Sequence, residues 1–451
     1  MKRQFSVLVI ATLLYCFGTN ALAQLANDEI EPMADRIGAV VEQESERLKA
    51  IFMDIHENPE LGFMETRTAA IVAKELETLG YDVQTGIGGT GVVGIMRNGP
   101  GPVLMWRADM DANAIHEQTG LPYASEVMVT NLEGEETYVA HMCGHDAHTT
   151  WLIGLARVMA EMKDAWSGTL VMVAQPAEEP IAGAQAMVDD GLYTTYGVPV
   201  PDYFFAFHTA PLPTGAFLST VGRMTTMTTM VDVTFHGVGG HGSSPHHAKD
   251  PIVMAGEGIV QLQTIVSRRI EPGKTAVVTI GAIEGGVDNN VIPTEATLKL
   301  KLHAESAEIY EQLLENIEMI ANGIAVGAGV GEDMMPTLKQ KGFASLIFNS
   351  EAPVLRAREL MEAADFVPGQ VKDEIMAGSD DAFLLVDDFD DMQKAYYFIG
   401  IAEHQVFQES WDRDESFPFF VHEPYYAVDL EAIPAGTKMA ALLVIDALSQ
   451  D

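Results

Sequence analysis

The run "HMCGHDAH", residues 141–148, places Cys143 between His141 and His145 and adds Asp146 and His148. A cysteine with a histidine two residues away on either side is costly to bury without a partner. Thiolate and imidazole together form a donor set suited to zinc or a related divalent ion. Other candidate groups fall elsewhere in the chain. Asp109 and Asp111 follow the apolar run "PVLMWRA", Glu178 and Glu179 follow "GTLVMVAQP", and His208 ends "DYFFAFH". Each has an ordinary alternative. A lone histidine at a strand end is commonly a satisfied polar residue, "AEE" reads as a solvated helix start, and "RADMDA" reads as a turn with aspartate caps. The adjacent glutamates repel one another unless a cation neutralises one of them. One could then ligate a metal while its neighbour acts as general base on a metal-bound water, a division of labour suited to amide hydrolysis.

These residues need a scaffold that brings distant strand ends together. Apolar runs alternating with helical periodicity, as in "RTAAIVAKELETLG" and "TTWLIGLARVMAEMKDAW", predict an α/β domain with a largely parallel central sheet. Ligands bind beyond the carboxyl ends of such strands, where the acidic pairs and His208 fall; Cys143 and His145 belong to a glycine-containing loop before a helix. From about Thr225 the texture changes. "MVDVTFHG", "TAVVTIGAI" and the strictly alternating "ATLKLKLH" interleave with two helical patterns in the order strand, helix, strand, strand, helix, strand, that of a ferredoxin-like α+β domain. The α/β texture then returns with "KAYYFIGIA" and the closing "GTKMAALLVIDAL". The expected organisation is residues 1–23 as a signal peptide, 24–222 and 343–451 as two parts of a catalytic domain, and 223–342 as an inserted satellite.

The leader is read from "MKRQ", the apolar "FSVLVIATLLYCFG" and "ALA" before Gln24. It predicts export to the periplasm or beyond, and its removal would take Cys16 and leave Cys143 alone. No later segment is long and apolar enough to span a membrane. The 451 residues carry 65 acidic against 26 basic side chains, a formal net charge of −39. Such a surface repels phosphate backbones and argues against nucleic-acid partners.

The chain resembles the zinc-dependent aminoacylase and carboxypeptidase family of metallopeptidases, in its N-acyl-amino-acid, hippurate and indole-acetyl-amino-acid amidohydrolase branch. The resemblance rests on "HENPELGF", "RADMDA", "HMCGHDAHT", "QPAEE", "GVGGHGSSPH", "NNVIP", "GSDDAF" and "VHEPYY", in that order. It implies a two-metal exopeptidase-like α/β catalytic domain interrupted by the ferredoxin-like satellite. It also implies two divalent ions (zinc, manganese or cobalt) held by Cys143, His145, Glu179, His208 and His422, with Cys143 bridging. Glu178 would be general base and acid for a metal-bridged hydroxide, and His241 would stabilise the oxyanion, from its own chain or a partner subunit. Asn290, His303 and Gly378 would contact substrate; Asp109, Asp111 and Asp146 would orient ligands by hydrogen bonds. The implied substrate is a small N-acyl, including aromatic-acyl, amino acid, and the implied assembly a homodimer through the satellite. A carboxypeptidase or dipeptidase, or a non-catalytic metal-dependent binding protein on the same fold, are the alternatives. Two departures stand out. His303, with Lys299 and Lys301 on the same strand face, stands where the family usually has arginine, and "PIAGA" follows the glutamates where the family runs through glycines.

Overall fold

The structure is a computed structural model that describes residues 24–132, 134–369 and 378–449. The leader with Cys16 lies outside the described residues. Among those described, no helix is long and apolar enough to cross a membrane.

The larger unit is built on an eight-stranded sheet. Its main strands are β1 (Asp82–Ile87), β2 (Gly91–Asn98), β3 (Val103–Asp109), β4 (Gly168–Gln175) and β5 (Tyr203–Pro213), with a late strand, Gln393–Ala402, beside β5. The centre is parallel: β3 pairs with β4 and β5, and β5 with Gln393–Ala402. β1 and β2 close one edge in antiparallel fashion. Period-two alternation explains what each face carries. Leu104 and Trp106 of β3, Leu170 and Met172 of β4, and Phe205 and Phe207 of β5 share one apolar core. On the opposite face Met105, Val171, Val173, Phe204 and Tyr396 form another. An arginine inside the apolar run of β3 therefore points into that second face, where Arg107 is fully buried.

Helices α1 (Asn27–Glu57), α3 (His145–Glu161) and the C-terminal Ala432–Ala447 cover the first face, and α2 (Thr66–Thr78) packs beside them. Gly154 permits the close approach of α3 to the last helix: a β-carbon there would lie 2.6 Å from Thr437 Oγ1. Trp151 Nε1 donates to the Ala432 carbonyl at 3.0 Å across the same contact.

After Arg223 the chain leaves this sheet and builds a second one, returning at Phe348. The strands β6 (Met227–His236), β7 (Ala276–Gly285), β8 (Glu295–Ala304) and β9 (Thr337–Ala344) lie in the antiparallel order β7-β8-β6-β9. Two helices, Pro251–Leu262 and Ala307–Ala328, cover one side. This is the ferredoxin-like order expected from the sequence. The alternation of β8 buries Ala296, Leu298, Leu300 and Leu302 in the satellite's own core and turns Lys301 and His303 to the other face.

Two local readings are corrected. His208 does not end its strand; β5 runs on to Pro213 because Thr209 and Ala210 continue the ladder opposite Ile399 and Gly400. His145 is not in a loop before the helix but is the first residue of α3, after Gly144 at φ +87°.

Candidate active site

The carboxyl end of the central strands forms the floor of a cavity of about 550 Å³ between the two units. Cys143, Glu178, Glu179, His208 and His422 line it. His145 lies immediately beneath, its Nε2 3.9 Å from both Glu178 Oε2 and Glu179 Oε1. Cys143 Sγ is 3.6 Å from His208 Nε2, and His422 Nε2 is 3.2 Å from Glu179 Oε1. The sequence separates these five candidate ligands by up to 279 positions (422 − 143), and the sheet brings them into one basin.

Hydrogen bonds fix which atoms face the basin. His208 Nδ1 donates to the Thr209 carbonyl at 2.8 Å, leaving Nε2 as the free acceptor toward Cys143. His145 Nδ1 donates to Asp111 Oδ1 at 3.2 Å, while its Nε2, fully buried, has no hydrogen-bond partner. Asp111 does more. It accepts the backbone N–H of Glu178 at 3.0 Å and of Glu179 at 2.9 Å, and Glu65 accepts that of Ala177 at 2.8 Å. Three consecutive amides of the glutamate segment thus end on two buried carboxylates. Such double anchoring sets the direction of both glutamate side chains.

Asp109 makes no hydrogen bond to a candidate ligand. It accepts from His148 Nδ1 at 2.6 Å and from Arg107 at 2.7 Å, and His148 Nε2 in turn accepts from the Thr209 N–H. It therefore supports the backbone next to His208. Asp146 departs further from expectation: its carboxylate pairs with His56 at 2.6 Å and touches none of the five candidate ligands, because the helix turns it about 100° away from His145. His241 and Asn290 line no part of the cavity in this chain; both are exposed in the satellite, His241 bonding its own loop through Ser243. Gly378, Lys301 and His303 do line it. Lys299 is paired with Glu284 at 2.5 Å instead.

Several contributors were not singled out from the sequence. Arg107 bonds Asp109, Gln175 and both oxygens of Asp380. Tyr396 Oη also donates to Asp380, at 2.6 Å. An arginine within a buried strand run was the signal for this network. Arg223 also lines the cavity, 3.8 Å from Glu305; nothing in its sequence context marks it.

The charges define what the basin lacks. Burial, with Asp380 and Glu179 nearby, pushes Glu178 well above the ordinary carboxylate range. Burial and the same glutamates push the Cys143 thiol up. Burial alone would lower His145, but Asp109 and Asp111 outweigh it and raise it to about 10. Burial is the larger cause for Glu178 and Cys143, and uncompensated negative charge contributes to all three shifts; a divalent cation would offset that contribution. Cys143, His145 and His208 bring three donor atoms within 4.8 Å of one another, as do Cys143, Glu179 and His422, and His145 Nε2 is left unpartnered; these donor sets fit such an ion.

Fold and basin together define a metal-dependent hydrolase of the two-unit exopeptidase kind. Residues 105–445 match peptidase family M20/M25/M40, and the chain belongs to that family. It is 42% identical over 273 residues to a hippurate hydrolase of Campylobacter jejuni, covering 60% of this chain and 68% of that protein. It is 32% identical to IAA-amino acid hydrolase ILR1-like 4 of Arabidopsis thaliana, over 86% of this chain and 82% of the relative. It is 34% identical to an N-acetyldiaminopimelate deacetylase of Enterococcus faecalis, over 88% and 96%. A dinuclear metal-binding peptidase of the M20 family from Bacillus subtilis superposes with a TM-score of 0.67 at 25% identity, over 90% of this chain and 99% of its own. The protein is an enzyme of the amide-hydrolysing kind, which sets aside the non-catalytic alternative.

Proposed function

We propose that the enzyme hydrolyses the amide bond of N-acyl amino acids whose acyl group is apolar or aromatic, using two divalent ions. The observation that carries this reading is the contrast between the two sides of the cavity. The catalytic unit supplies the glutamates and histidines, while the satellite strand β8 presents Lys301 and His303 to the same cavity, and Arg223, which also contacts Glu305 at 3.8 Å, lines it with them. Lys301 is half-buried and burial lowers its pKa, a position that favours pairing with an anion such as a substrate carboxylate. Leu218, Met224, Phe398, Phe417 and Ile181 also line the cavity and suit an acyl group. A dipeptide would also need a partner for its ammonium. Apart from Glu178 and Glu179, the lining carboxylate is Asp380, which is already committed to Arg107 and Tyr396, so the acyl substrate fits better.

Cys143, His145, Glu179, His208 and His422 would hold the ions. When bound, these supply Lewis-acid polarisation of the amide carbonyl and acidify a water. Glu178 takes the proton of the attacking water and returns it to the leaving nitrogen, a role supported by its place on the cavity lining next to Glu179 and 3.9 Å from His145 Nε2. The reading extends to a homodimer in which His241 and Asn290 serve a partner's cavity. The exposed apolar residues Val277, Ile283 and Val291 on and beside the edge strand β7 support a contact there. It extends also to export through the leader. The direct test is a panel of hippurate, N-acetyl amino acids and dipeptides with and without chelator. Metal-dependent cleavage of the acyl amino acids in preference to dipeptides is expected; the reverse order would assign a dipeptidase.

A further inference from the structure

A second cavity, of about 690 Å³, lies at the junction of the two units. Phe63 and Gln185 line it from the catalytic side, and Tyr310, Leu314 and Phe343 from the satellite. One residue, Ile181, lines both this cavity and the active-site cavity. Ile181 is 4% exposed and follows Glu179 by two positions. Its backbone lies at φ +50°, a conformation that β-branched residues rarely adopt and glycine adopts freely. Two hydrogen bonds hold it there: its N–H donates to the Glu178 carbonyl at 2.6 Å, and its carbonyl accepts from the satellite's Phe343 N–H at 2.9 Å. The chain thus keeps a branched apolar side chain at a backbone position made for glycine, where the resemblance leads one to expect glycine.

We propose that Ile181 is a specificity-determining residue, the partition that ends the acyl pocket and closes it off from the junction cavity. Without its side chain the two cavities join, and the largely apolar lining of the second, with Gln185, Asp189 and Gln340 as its polar members, accepts a longer acyl chain. This rests on the acyl-amino-acid reading above. The test compares wild type, Ile181→Gly and Ile181→Ala on N-acetyl, N-benzoyl and N-dodecanoyl derivatives of one amino acid. The glycine variant relieves the backbone conformation, so loss of the fold is not expected. Both variants should raise the ratio of kcat/KM for the dodecanoyl over the acetyl substrate by about tenfold or more, the discrimination a few methylenes give in an apolar pocket. An unchanged ratio in both, or a uniform loss of kcat on all substrates, would overturn the partition and leave Ile181 a backbone support. The same three compounds are titrated calorimetrically against each variant in a Glu178→Gln background. If wild type cleaves none of them, the functional reading fails, and the dodecanoyl-to-acetyl ratio of Kd still decides the partition by the same criterion.

Discussion

His56 and His145 are both buried histidines set between carboxylates at the two sides of the first turn of α3, yet only one is equipped to hold a metal. His56 donates from Nδ1 to Asp146 and from Nε2 to Glu117, at 2.6 and 3.2 Å, so both ring nitrogens are spent. His145 donates only from Nδ1, to Asp111, and leaves Nε2 unpartnered toward the basin. Composition does not distinguish the two clusters. The difference lies in whether a ring nitrogen is left over and whether a cavity adjoins it. A saturated cluster stabilises the fold; an unsaturated one recruits an ion.

The largest effect should follow from the group proposed to move protons in the unsaturated cluster. Glu178→Gln is expected to lower turnover by about 10²- to 10⁴-fold while metal content is unchanged, because no donor is lost. Near-normal turnover would remove Glu178 from its role. Asp111→Asn should weaken metal affinity and activity by about 10- to 100-fold. Its carboxylate orients His145 and holds the Glu178 and Glu179 amides, so the loss should appear in metal titrations before it appears in thermal unfolding. The smallest catalytic effect is expected at the saturated cluster. His56→Gln should leave kcat/KM within a few-fold and reduce stability by about 2–3 kcal/mol, since it strands buried carboxylates.

The pH dependence of that last variant sharpens the contrast. Burial lowers the affinity of His56 for its proton, but Asp146 and Glu117 outweigh it and raise the pKa to about 9. The unfolded value is near 6.5. A raised folded pKa contributes stability that is fully present below about 6.5 and is lost as pH rises through about 9. The stability gap between wild type and His56→Gln should therefore be widest below pH 6.5 and close toward pH 9 to 10. A gap independent of pH would mean that His56 is not charged in the folded protein.

Much of this architecture was legible in the residues. Continuous apolar runs marked the strands of the central sheet, and the switch to alternation near Thr225 marked the satellite, because exposed-face alternation differs from a strand buried on both faces. The five candidate ligands came from motif resemblance rather than periodicity. What escaped was direction. Asp146 and His145 are neighbours in sequence, but successive helical residues point about 100° apart, so one faced His56 and the other the basin. The anchoring of Ala177, Glu178 and Glu179 by Glu65 and Asp111 was equally hidden, since backbone N–H partners over such separations leave no local pattern. Lys301 was legible from β8 alternation, whereas Arg223 became relevant only when the cavity closed around it.

The central claim is that the open histidine cluster, and not the closed one, is a two-ion site with a thiolate in it. Cobalt titration of the metal-free enzyme, followed by absorption, tests this most directly. The account predicts saturation at two ions per chain with a thiolate-to-cobalt charge-transfer band, both retained in His56→Gln, and loss of the band in Cys143→Ser. Saturation below two ions, or two ions bound with no such band in wild type, would contradict it.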